Sequence, residues 1–192
     1  MVLENEKCRV EIKEDKSYKV GSANNRHYDI TLSPSGYERC EFYRTLSIDI
    51  DLFSEKLQIA LIGSPYIGHS DIAVLEDEIL TVLIDDTIVQ LQVTDGIVVR
   101  VIDIDDFGTN FSIYKVEKGY VIHGEMTITM LDFDFQEKWS VGGADIFVTS
   151  SGEDSFEIQD DIICVHDFLG NYYEIDFEGK QVKFIGVGDT YG

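Results

Sequence analysis

The feature that most restricts how this chain can fold is a strand pattern that returns about every 41 residues. Short polar breaks between apolar-alternating runs fall at Ser54-Glu55 in IDIDLFSEKLQIAL, Asp95-Gly96 in IVQLQVTDGIVVRV, Gln136-Glu137 in LDFDFQEKWSV and Glu178-Gly179 in YYEIDFEGKQVKF; their second residues lie 41, 41 and 42 positions apart. A further break, Glu14-Asp15 in VEIKEDKSYKV, stands 40 residues before the first and reads as a degenerate fifth copy. Helical periodicity is nearly absent between them. In DTIVQLQV, Val89, Leu91 and Val93 fall on one face while Gln90 and Gln92 fall on the other, the alternation of a half-buried strand. The same reading makes strands of RVEIK, HYDITLS, RTLSIDIDL, KLQIALIG, EILTVLI, IVVRVIDI, FSIYKV, YVIHGEMTITML, KWSV, ADIFVTS, SFEIQ, DIICVHDF, NYYEIDF and KQVKFIGV. Such strands, bounded by Gly, Asp, Asn and Ser with no helix between them, predict an all-β, mainly antiparallel protein.

All-β units of about 40 residues are what propeller blades are made of. The segments LDFDFQEKWSV and EIDFEGKQV resemble the quinoprotein-type propeller repeats, whose blades carry a strand of the form aspartate, turn, small polar, Trp-Ser. That resemblance implies a propeller-like fold with four or five blades in 192 residues. A β-sandwich or an open antiparallel meander fits the same pattern. The inward and outward alternation before the break slips by one residue between the first two copies and the last two, which calls for a β-bulge. The chain reads as one domain, 1–192, with 1–44 a divergent N-terminal repeat and 45–192 the clearer copies. The aspartates of LDFDF suggest either a carboxylate ladder for a metal or a strand entering a hairpin. Asp132 and Asp134 stand where the second copy has Leu91 and Val93, and this favours the strand.

Charge narrows the class of partner. Thirty-seven acidic residues against fifteen basic ones leave a net −22. Nucleic-acid phosphates and anionic lipid repel such a surface, so neither nucleic acid nor membrane is an expected partner. A basic protein is, because a negative field steers and captures positive surfaces. The N-terminal MVLENEKCRVEIKEDK has no apolar signal core, and no run reaches the roughly 18 apolar residues of a membrane helix, so a cytoplasmic protein is expected. The three cysteines, Cys8, Cys40 and Cys164, match no zinc spacing and read as free, mostly buried thiols.

Motifs for chemistry are sparse. DIDDFGTN, Asp103 to Asn110, places oxygens at Asp103, Asp105 and Asp106 with Gly108 sixth, a faint calcium-loop pattern, but its twelfth position is Tyr114 and it reads as a solvated turn. His123 and Glu125, two apart in YVIHGEMT, would share a strand face and, with His166 or Asp167 from CVHDF, form the one constellation able to act as a general base or ligand site. Cys164 is flanked by Asp160, Asp161 and Asp167, a poor setting for a thiolate nucleophile. No phosphate loop, nucleophile elbow or metalloprotease motif occurs, and neither a cofactor nor a metal is expected. Exposed aromatics beside acids make recognition surfaces for Arg and Lys, and the candidate binding residues are Asp132, Asp134, Trp139, Tyr172, Tyr173 and Glu174. The leading expectation is a non-enzymatic acidic protein-binding module, such as an immunity-type inhibitor of a basic, nuclease-like toxin. The alternative is a small-ligand or metal-binding β protein, or a hydrolase, using His123, Glu125 and nearby acids.

Overall fold

The computed structural model describes residues 1–34, 36, 42–66, 68, 71–104, 108–149 and 155–190. Among the described residues, seventeen strands make four sheets. Residues 1–105 form one compact unit. Its first sheet has the order β1-β2-β4-β5-β3, from β1 (Val2–Glu4), β2 (Arg9–Glu14), β3 (Ile30–Leu32), β4 (Arg44–Asp51) and β5 (Lys56–Gly63). Its second is the meander β6 (Ala73–Glu76), β7 (Ile79–Leu83), β8 (Thr87–Gln92) and β9 (Val98–Asp103). Residues 106–192 form the other unit. It holds the meander β10 (Asn110–Val116), β11 (Gly119–Gly124), β12 (Thr127–Leu131), β13 (Glu137–Gly142) and the meander β14 (Phe156–Gln159), β15 (Ile162–His166), β16 (Tyr172–Asp176), β17 (Gln181–Ile185). A short 3-10 turn, Val187–Thr190, follows. Neighbours pair antiparallel throughout, except β3, which runs parallel to β5. The strands contributed by the first 44 residues, β1 to β3, join the sheet built on the β4–β5 hairpin.

Alternation explains how each unit closes. On β2 and β4, Val10, Ile12, Leu46, Ile48 and Ile50 point one way and meet Leu80, Val82, Val89 and Leu91 of the second sheet. In the other unit, Val121, Ile128 and Met130 meet Phe156, Ile163, Val165, Tyr173 and Ile175. Each such aliphatic side chain removed from water contributes roughly 1.5–3 kcal/mol, and both cores are made by sheets packed face to face.

The recurrence in the sequence is a recurrence of turns. Each of the four central hairpins, β4–β5, β8–β9, β12–β13 and β16–β17, has one residue in the left-handed region: Phe53, Gly96, Phe135 and Gly179, which follow one another at 43, 39 and 44 positions. In the last two, one aspartate organises the turn. The Asp132 Oδ1 accepts from the Asp134 and Gln136 amides at 2.8 and 2.9 Å, while the Phe135 amide donates to the Asp132 carbonyl at 3.0 Å. The Asp176 Oδ1 does the same for the Glu178 and Lys180 amides at 3.0 and 2.9 Å, with the Gly179 amide on the Asp176 carbonyl at 2.9 Å. Asp132→Ala and Asp176→Ala are each expected to cost about 1 kcal/mol. Denaturant unfolding read by the fluorescence of Trp139, the only tryptophan, checks this; an unchanged midpoint in both variants would contradict it.

DFDF is therefore the turn itself and not a strand. Phe133 is exposed and Phe135 is buried against Tyr120, with rings stacked at 4.7 Å, so the two do not share a strand face. The expected bulge exists. Val99, Lys138 and Val182 are the extra residues where the β8–β9, β12–β13 and β16–β17 registers shift, whereas β4 and β5 pair without interruption. These bulges lie in the strands after the turns, in the last three copies and not in the first, so they do not mark the division between the first two copies and the last two that the alternation before the break suggests. Two strand expectations also change. YVIHGEMTITML reverses direction at Glu125 and Met126 to give β11 and β12, because the Glu125 amide and carbonyl bond to Thr109 and Phe147 at 2.7 Å instead of continuing a ladder. The described part of ADIFVTS is an irregular connector, held where Phe168 donates to the Ile146 carbonyl at 2.8 Å.

Candidate functional site

The last sheet puts its apolar residues on one side and a chemically mixed set on the other. Register brings Glu157 opposite Cys164, Cys164 opposite Glu174, Glu174 opposite Lys183, and His166 opposite Tyr172. Cys164 is shorter than its cross-strand partners Glu157 and Glu174 and than His166 and Tyr172 beside it, so the taller side chains stand around a hollow over its thiol. That hollow has a volume of about 400 Å³ and is lined by Ser155, Phe156, Glu157, Gln159, Cys164, His166 and Tyr172. Its rim is tied together. Gln159 Nε2 donates to Glu157 Oε2 at 2.9 Å, and the Tyr172 hydroxyl donates to Glu174 Oε1 at 3.1 Å. Lys183 Nζ donates to the same Glu174 oxygen at 2.7 Å while lying 5.3 Å from the Tyr172 ring centre. The Lys183 ammonium holds the Glu174 carboxyl below its ordinary value. The Cys164 thiol, burial and Glu174 together push the Tyr172 phenol up, so it stays protonated.

Of the residues singled out from sequence, the hollow and its rim collect Tyr172, Glu174 and His166, whose ring centre is 4.9 Å from that of Tyr172. The others lie elsewhere. Asp132 and Asp134 belong to the β12–β13 turn. Trp139 is half-buried; its Nε1 donates to the Phe177 carbonyl at 3.0 Å and its ring covers Gly179, where an added Cβ would come within 2.7 Å of it. Tyr173 faces the core, its hydroxyl donating to Asp167 Oδ2 at 2.8 Å and accepting from the Ala144 amide at 2.9 Å. Asp167 is 1% exposed and also accepts from the Asn171 amide at 2.9 Å and Nδ2 at 2.8 Å. Burial alone would raise its carboxyl, but the hydrogen bonds from Asn171 and Tyr173 outweigh it and hold it below its ordinary value.

His123 is fully buried, stacked on Phe156 at 4.7 Å and edge-on to Phe111 at 5.2 Å. Its Nε2 lies 3.0 Å from the Phe147 carbonyl, which can only accept, so Nε2 carries the proton. Glu125 sits past the end of β11 and accepts from the Thr109 amide at 3.3 Å. The two therefore do not share a strand face, and the exposed His166 ends β15 while the buried Asp167 lies just beyond it. Among the described residues no three His, Cys, Asp or Glu side chains converge as a metal site would require. Asp105 and Asp106 of the calcium-like loop, and Cys40, lie outside the described residues, while Cys8 and Cys164 are free and buried.

The sequence singles out neither Glu157, Gln159 nor Lys183, and presents Cys164 only as a buried thiol in a poor setting for a nucleophile. The available signal was the two-residue spacing that puts Glu157 with Gln159 and Cys164 with His166 on one face, next to Tyr172 and Glu174. A second hollow, about 260 Å³, lies on the polar face of β2, β4 and β5 and includes Arg9, Glu11, Asp49, Asp51, Lys56 and Gln58. Its charges answer one another: Asp49 meets Arg26 at 2.5 Å, Gln58 at 2.7 Å and Lys13 at 3.5 Å, and Lys56 meets Asp51 at 3.1 Å.

No protein-family model matches the chain, and no curated protein does. Solved structures match it at the level of the fold. The computationally designed Ika8 protein superposes with a TM-score of 0.50 at 13% identity, over 74% of this chain and 46% of that one. BamB from Moraxella catarrhalis gives 0.46 at 10% identity, over 74% and 47%. Hsv2 from Kluyvelomyces marxianus gives 0.45 at 10% identity, over 77% and 46%. The chain spans about half the length of these three structures. Identity this low speaks to architecture alone; it is the chain's own sheets, one of five strands and three four-stranded antiparallel meanders, that make the architecture all-β, repeated and propeller-like.

Proposed function

We propose that this chain is a non-enzymatic acidic binding module that covers a basic protein surface, in the manner of an immunity-type inhibitor seated on a nuclease-like toxin. The observation that carries the reading is the charge of residues 106–192: seventeen Asp and Glu against five Lys and no Arg. A field of that sign attracts a basic partner from a Debye length away and raises its on-rate. Carboxylates then stand in for the phosphates that a nuclease surface is built to hold, and ring contacts slow dissociation. A cytoplasmic site of action suits the free thiols of Cys8 and Cys164.

The test is association of the full chain with purified basic nucleases of pI above about 9. The on-rate is expected to fall at least about tenfold between about 25 and about 300 mM NaCl, with nuclease turnover lost at one-to-one stoichiometry. Absence of association with every such nuclease at the lower salt would contradict the proposal.

A further inference from the structure

We propose that the hollow over Cys164 seats a single guanidinium, an arginine side chain of the basic partner. This rests on the binding-module reading above and names the group that the module would grip.

The chain itself demonstrates the chemistry at the rim. Lys183 already places its ammonium beside the Tyr172 ring and on Glu174, so this corner of the sheet accepts a cation through a ring and a carboxylate together. Lys183 engages Glu174 and leaves the opposite wall to a visitor. That wall is Glu157, exposed on β14 and oriented by Gln159. Glu157 and Glu174 both face Cys164 in register, so they rise from strands two apart, about 10 Å. A flat guanidinium with a hydrogen bond at its edge fills that width, whereas a compact ammonium leaves much of it empty. Its plane lies against Tyr172 and His166, and its fork reaches the Glu157 carboxylate. The floor is the buried Cys164, whose short side chain creates the space. An anion is disfavoured, because Glu157 lines the hollow and Glu174 stands at its rim. Residues 106–192 contain no arginine to occupy the seat from within.

The experiment titrates the full chain with a capped Gly-Gly-Arg-Gly-Gly peptide and with the citrulline counterpart, which has the same shape without the charge, following backbone amide shifts. Saturable shifts are expected at 155–166 and 172–174, with an affinity of ~1 mM for arginine and about tenfold weaker for citrulline. Cys164→Leu fills the floor and changes no charge. Glu157→Gln removes one wall charge. Each is expected to weaken the arginine peptide about tenfold, while Glu137→Gln, which removes the same charge from exposed β13, leaves it within about twofold.

Unchanged shifts of the Trp139 indole and of the core amides certify the fold of each variant. Equal binding by parent, Cys164→Leu and Glu157→Gln, or shifts spread over the acids of both units, would overturn the guanidinium seat. If that happens while a basic nuclease still binds at low salt, the seat falls and the binding-module reading stands. If both bindings are absent, both fall.

Discussion

Replacement of Asp167 by Ala is expected to destabilise residues 106–192 by about 3 kcal/mol. Asp167 is 1% exposed, and its carboxylate is the acceptor for the Asn171 amide, the Asn171 side chain and the Tyr173 hydroxyl. Ala deletes the acceptor and leaves those donors buried. Asp167→Asn keeps the shape but only one acceptor oxygen, and is expected to lose about 2 kcal/mol. The folded carboxyl titrates below its ordinary value of 3.8, so as pH falls the unfolded chain takes up the proton first. This contribution to stability is complete above the ordinary value and is lost as pH drops through the lower folded one. The parent is therefore expected to lose stability more steeply than Asp167→Ala below about pH 4. Denaturant curves read by Trp139, which lies in the same unit, measure both effects; a loss under about 1 kcal/mol with parallel pH profiles would contradict the buried-carboxylate role.

Gly119→Ala is expected to be at least as damaging, at about 3 kcal/mol or more. Gly119 opens β11 with φ at +142°, a conformation that L side chains rarely adopt, and an added Cβ would lie 2.0 Å from the Leu131 carbonyl oxygen and 2.9 Å from the Asp132 Cα. Both neighbours are backbone of the β12–β13 hairpin, so neither can swing aside as a side-chain tip would. Relief requires β11 and β12 to part at the Tyr120–Leu131 pair, next to the bulge. Gly142→Ala offers the contrast, because its φ is ordinary and an added Cβ would meet only the Met126 carbonyl oxygen, at 3.5 Å. A Gly119→Ala protein with the parent's midpoint would show that the hairpin tolerates a separation these contacts forbid.

Much of the architecture was legible because sheets packed face to face print their alternation into the sequence. Val89, Leu91 and Val93 with Gln90 and Gln92 between them announce β8, and the period near 41 announces the repeated hairpin. Reading faltered where backbone hydrogen bonding imitates a strand. Asp-Phe-Asp-Phe alternates with period two, yet the Asp132 carboxylate pulls two amides into a turn and Phe135 accepts positive φ because its ring is buried on Tyr120. A shared face for His123 and Glu125 requires an unbroken strand, whereas the chain reverses between β11 and β12. The hollow was only partly legible for a different reason. Tyr172, Glu174 and His166 carry recognisable recognition chemistry, but the cavity depends on what is small, and a cysteine flanked by acids advertises a core thiol rather than a floor. Cross-strand register, which sets Cys164 between Glu157 and Glu174, emerges only once the strands pair.

Hydrogen exchange on the full chain, alone and with a purified basic nuclease bound at low salt, tests most directly the claim that this protein acts by being held through the polar face of its last sheet. The expected result is slowed exchange concentrated in β14, β15 and β16, with the buried amides around His123 unchanged. Protection confined to the polar face of β2, β4 and β5, with β14 to β16 exchanging as in the free chain, would contradict it.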